Sequence, residues 1–135
     1  MQEVQEGQLY AVAYKSGEYV GEFVERSANS PRAVVQIKAV LRHPEQGDLH
    51  HPYEADVPLF HQRKASAYGE YVLVPLQALR PYAGDVPGYA ESLAAAWRRQ
   101  YGELAERGDA WAERSLLELE QLRREYGFSE PSPEA

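Results

Sequence analysis

A chain of 135 residues, 44% of them hydrophobic, can build one ordinary domain or a small domain with an appendage. With no cysteine it can form no disulfide, thiolate nucleophile or cysteine-ligated zinc or iron–sulfur site. The formal charge of −7 and the lack of any basic run argue against nucleic acid, whose binding depends on neutralising phosphates. The acidity is concentrated past residue 83, where six Lys or Arg stand against eleven Asp or Glu. The opening MQEVQEGQ lacks the basic-then-apolar order of a signal peptide, and no apolar run approaches a membrane span, so the expected location is cytoplasmic.

Leu9 to Tyr14 and Glu18 to Arg26 are rich in aromatic and β-branched residues and are joined by Lys15-Ser16-Gly17. This predicts a hairpin with Gly17 in a left-handed position, and Gly21 predicts a bulge or bend in the second strand. After the turn-forming SANSP at residues 27–31, Val34 to Leu41 alternates. Val35, Ile37, Ala39 and Leu41 form its wholly apolar face, the expected buried one. A fourth strand is expected at Glu70 to Val74, a tight helical turn at Pro75 to Leu79, and a short last strand at Arg80 to Tyr82. Five short antiparallel strands with a helical turn before the last make the pattern of a small SH3-like β-barrel, whose closure would hide its edges.

Composition shifts at Gly84. Asp85 is the expected cap of a helix starting near Pro87, with Tyr89, Leu93, Trp97, Tyr101 and Leu104 on one stripe. Arg107-Gly108-Asp109 ends that helix and caps a second, whose apolar face carries Ala112, Leu116, Leu119, Leu122 and Tyr126. Glu103/Arg107 and Glu120/Arg124 have the spacing of solvated ion pairs. So short a join makes the helices an antiparallel hairpin. The fold class is therefore α+β: residues 1–83 a barrel with a long insertion at 42–69, residues 84–128 a helical hairpin, and residues 129–135 a disordered tail. Two apolar stripes need covering, which leaves a homodimer exchanging hairpins open.

The insertion holds all four histidines and three of the nine prolines, and excursions of this length are usually functional or mobile. His43, Asp48, His50, His51, Asp56 and His61 offer enough nitrogen and oxygen donors for a divalent ion. Their spacing matches no known zinc module, because adjacent His50 and His51 point opposite ways along an extended backbone and no pair has helical i,i+4 geometry. The competing expectation is that the imidazoles order loop backbone or form an interface. Acid–base catalysis by His50 or His51 with Asp48 or Asp56 is weaker, since Ser66 sits in no nucleophile elbow and no glycine-rich phosphate loop exists. Seven of ten tyrosines fall before residue 84, either as ordinary strand residues or as the lining of an extended-peptide groove. Trp97 and Trp111 pose the same choice between core and docking surface.

The block AVLRHPEQGDLHHPYEADVPLFHQRKASAY, together with YKSGEYVGE, RPY, YAESL and AWAERS, closely resembles the kinase-associated protein B family of sporulating Firmicutes. The residues carrying the match are His43, Pro44, Gln46 to Pro52, Ala55 to Pro58, Phe60, His61 and Arg63 to Ala65. The resemblance implies an SH3-like barrel with attached helices and a non-enzymatic role in regulating a membrane sensor histidine kinase that feeds the sporulation phosphorelay. Family members are often labelled lipoproteins, but that attachment needs a signal peptide and a cysteine; with neither here, the expectation is no lipid anchor and contact with the kinase from its cytoplasmic side, peripheral to the membrane. The expected partner surface is His43, Asp48, His50, His51, Asp56 and His61, with no catalytic residue, metal or cofactor. The alternative is a metal-dependent enzyme or metal-binding protein using the same insertion.

Overall fold

Strands Leu9–Tyr14 (β1) and Gly17–Arg26 (β2) form the expected hairpin in the computed structural model, which describes residues 6–128. The left-handed positions are Lys15 and Ser16, at φ 45° and 65°, rather than Gly17. Tyr14 pairs with Gly17, so the loop is two residues long and takes the positive-φ form that suits strand twist. Gly17 is needed for space instead, because a Cβ there would stand 2.7 Å from the Tyr19 hydroxyl.

Arg32–Arg42 (β3) pairs antiparallel with β2 and, on its other side, with Tyr71–Pro75 (β4). The β2–β3 register shifts between Val20 and Gly21, where a Cβ would press within 3.0 Å of Val35, as the glycine signal implied. That shift changes which residues of β3 face inward. Ala33, Val35, Ile37 and Ala39 are buried, but Val40 is buried beside Ala39 and Leu41 is only half-buried. A strict two-residue period cannot see a bulge, so the sequence placed Leu41 where Val40 belongs.

One 3₁₀ turn, Leu76–Ala78, leads to Arg80–Pro81 (β5), which pairs with β1. The sheet order is β4-β3-β2-β1-β5, and no ladder joins β4 to β5 among the described residues. The strands therefore curl into a loose rather than a closed barrel.

Tyr89–Arg107 (α1) starts after Gly88, with no side-chain cap, so Asp85 does not cap it. Asp85 instead offers its carbonyl to the Tyr82 hydroxyl. Ala110–Tyr126 (α2) starts as expected: Gly108 is left-handed at φ 69°, and the Asp109 carboxylate accepts from the Ala112 N–H at 2.8 Å. Arg107 pairs with Asp109 at 2.6 Å and Glu120 with Arg123 at 3.1 Å, in place of the expected Glu103/Arg107 and Glu120/Arg124 pairs. Helix α1 lies on β3 of its own chain, so Leu93 and Ala96 join the sheet core. Trp97, Leu104, Trp111, Ala112, Leu119 and Leu122 form a second core between the helices. The Trp97 indole N–H, fully buried, donates to the Leu119 carbonyl at 2.8 Å and ties the hairpin together. The tail at 129–135 lies outside the described residues.

Candidate functional site

Polar side chains on α1 receive β3 where it leaves the sheet. Ser92 Oγ accepts the Val40 N–H at 2.9 Å, Arg99 donates to the Leu41 carbonyl, and Gln100 donates to the His43 carbonyl. Without them these groups would be left unpaired as β3 runs out of strand partners, a cost of about 1–3 kcal/mol for each one buried. His43 then turns inward and is fully buried. Its Nδ1 lies 3.0 Å from the Pro44 carbonyl, which can only accept, so Nδ1 carries the proton. Nε2 is therefore the acceptor for the Tyr126 hydroxyl at 2.8 Å. Burial pushes the His43 pKa down, against the opposing influence of the Pro44 carbonyl and the Gln100 side chain.

Gln46, also buried, joins the two limbs of the insertion. Its amide donates to the Pro44 and Arg63 carbonyls, and its carbonyl accepts the Arg63 N–H at 2.8 Å. Gly47 N–H donates to the His61 carbonyl, Arg63 reaches back to the Gly47 carbonyl, and the Trp111 indole donates to the main-chain carbonyl of Gln46. Gly47 has φ +102°, and a Cβ there would lie 3.0 Å from the Phe60 ring and 3.3 Å from the Trp111 nitrogen. Only glycine fits this crossing without strain.

Three phenols then seize the returning limb at two adjacent residues. Tyr126 of α2 accepts the Ala65 N–H at 3.0 Å, Tyr19 of β2 accepts the Ser66 N–H at 3.0 Å, and Tyr89 of α1 donates to the Ser66 carbonyl. Burial raises the pKa of all three, that of Tyr89 to about 12. Of the three, only Tyr19 belongs to the tyrosine-rich part before residue 84; Tyr89 and Tyr126 were expected on the apolar stripes of the helices, and no expectation had named a clamp.

The tip of the insertion rests on α2. Tyr53, at φ 65°, sets its ring edge-on to Trp111 at 5.0 Å, and the Arg107 guanidinium lies over both rings. Arg114 stacks over Phe60 and donates to the Ala55 carbonyl at 2.7 Å. Gln62 bridges to Glu118 and Gln121, and Lys64 pairs with Glu125. Exposed contacts of this kind contribute about 0.5–1 kcal/mol each, so position comes from their number and from the buried base.

The six residues singled out from the sequence fall into different roles. His43 is removed from any surface, because its ring is an internal strut. Asp48 Oδ1 accepts the His50 N–H and shapes a turn, which is what such a carboxylate does beside a loop backbone. His50, His51, Asp56 and His61 are exposed, with His51 3.8 Å from Glu54. Among the described residues, no three His, Asp or Glu side chains gather in a way that could hold a metal ion. The tip also exposes Leu49, Tyr53 and Leu59, and Leu117 is exposed on α2. Sequence reasoning missed Gln46, Gly47, Tyr19, Tyr89 and Tyr126 as the parts that fix this surface, although Gln46 and Gly47 lay inside the recognised block.

Comparison with known proteins gives a consistent result. The sequence profile of the family described as "Kinase associated protein B" matches residues 14–127. The chain is 47% identical over 125 residues to the kinase-associated lipoprotein B of Bacillus subtilis strain 168, covering 93% of this chain and 95% of that protein. The crystal structure of kinase-associated protein B from Bacillus cereus superposes with a TM-score of 0.76 at 31% identity, over 93% of this chain and all of the other. No helix among the described residues is long and apolar enough to cross a membrane.

Proposed function

Because the chain belongs to the kinase-associated protein B family, we propose that it acts as a non-enzymatic adaptor that contacts a kinase by protein–protein association. The kinase in this reading is a membrane sensor histidine kinase of the sporulation phosphorelay, met on its cytoplasmic side, as the family resemblance implies. The observation that carries the reading is the insertion: a base fixed by part-buried hydrogen bonds to β2, α1 and α2, and a tip that presents His50, His51 and His61 beside exposed Leu49, Tyr53 and Leu59. A loop held in one shape before binding loses little conformational freedom on association, and aromatic anchors beside polar groups are the usual make-up of a hot spot.

The test is co-purification with the cytoplasmic part of the sensor kinase. The wild type should retain it, and the double variant His50→Ala/His51→Ala should retain several-fold less while unfolding at the same temperature, since both side chains are exposed. Undiminished retention by the folded double variant would remove these histidines from the contact surface.

A further inference from the structure

The hydrogen-bond chain at the base of the insertion has a fixed direction. The Ala65 N–H donates to the Tyr126 oxygen, the Tyr126 hydroxyl donates to His43 Nε2, and His43 Nδ1–H donates to the Pro44 carbonyl. Every proton is used once, and the arrangement requires a neutral imidazole. A proton on Nε2 turns that nitrogen into a donor. Two donors, from Ala65 and His43, would then face one phenol oxygen, and the hydroxyl hydrogen of Tyr126 would lose its acceptor.

We propose that the Ala65–Tyr126–His43 chain is an acid-sensitive latch, in which protonation of His43 Nε2 breaks its junction with Tyr126 and frees the returning limb of the insertion from the end of α2. The same three residues join the start of the insertion just past β3, its returning limb and the end of α2, so a change at one ring reaches the base of the whole excursion. Around the chain stand Gln100 on α1, Tyr19 on β2, Tyr89 on α1 and, farther out, Glu70 before β4 and Glu125 on α2. The phenols stay neutral throughout the acid range. Glu70 is turned to the Ala67 N–H and Glu125 to Lys64, so neither carboxylate is drawn from those partners to compensate a charge on His43. The Pro44 carbonyl and, after it, the Gln100 side chain favour the imidazolium, and the Gln100 side-chain oxygen accepts no hydrogen bond from another group among the described residues. That oxygen offers the charged ring a second place to turn.

The direction of the pH effect follows from burial. A histidine kept neutral in the fold binds fewer protons than its unfolded counterpart, so its contribution is full above the ordinary imidazole value of about 6.5 and is lost as pH falls below it through the depressed folded value. The latch is closed at neutral pH and opens in acid, whatever the insertion binds.

The experiment is an NMR titration of the full chain from pH 7.5 to 4.5, following the His43 ring and the hydrogen-exchange protection of the Ala65, Val12 and Val20 amides. The expected result is that Ala65 protection falls about tenfold or more as the His43 ring titrates, while Val12 and Val20 in the sheet keep theirs. In His43→Gln, whose side-chain oxygen accepts without titrating, Ala65 protection should not change over that range. The proposal is overturned if His43 charges with Ala65 protection unchanged, if Ala65 opens only together with Val12 and Val20, or if the glutamine variant opens at the same pH. Should that variant not fold, the wild-type comparison of ring and amide decides alone.

Discussion

Gly47 and the three phenols show how much of the site depends on single atoms. In Gly47→Ala the new methyl would meet the Phe60 ring and the Trp111 indole on a backbone at φ +102°, so a loss of about 1–3 kcal/mol is expected, with exchange rising first in residues 48–61. Chemical denaturation with site-resolved exchange checks both parts. Tyr126→Phe leaves the Ala65 N–H without its partner and should cost about 1–3 kcal/mol, more than Tyr82→Phe, whose hydroxyl bond is exposed. High pH acts on the same group. Phenols whose pKa is raised in the fold hold protons that the unfolded chain releases above about 10, so stability is full below that value and falls as pH climbs through the folded ones, Tyr89 near 12 among them. A thermal midpoint flat from pH 9 to 12 would contradict that clamp. None of these roles was legible in the sequence, because a tyrosine that packs on the inner face of a strand or helix and one that holds a distant backbone amide carry the same local pattern.

At the scale of elements the reading from sequence was mostly sound where periodicity is the whole signal. Both helices, the hairpin join and the Asp109 cap follow from steps of three and four and from Gly108, and the strands were placed to within two residues. The departures have physical causes. Asp85 looked like a cap, but Tyr82 and the Pro87-Gly88 link carry the chain three residues farther before helical geometry begins. Val40 replaced Leu41 in the core because the β2–β3 shift inserts one residue into the alternation. Two substitutions test how the elements are joined. Trp97→Ala removes a fully buried ring and the bond to Leu119, and about 3–5 kcal/mol should be lost in equilibrium unfolding. Ser92→Ala orphans the Val40 N–H inside and should cost about 1–3 kcal/mol, although the change is only one hydroxyl.

For the molecule as a whole, the sheet and the hairpin serve to hold one long insertion at its base and to support its tip along α2. The histidines that stood out in the sequence divide accordingly: one is the internal strut, three are outward-facing groups on a fixed surface. Histidine count could signal the segment, but only the fold could separate His43 from His50, His51 and His61, because burial of a loop side chain depends on elements more than fifty residues away. The measurement that bears most directly on this account is hydrogen exchange of the full chain with and without the cytoplasmic part of the proposed sensor-kinase partner. The account predicts slowed exchange concentrated at residues 48–61 and the adjoining face of α2, with the sheet unchanged; slowing confined to the sheet or to the exposed side of β4, with the insertion unaffected, would contradict it.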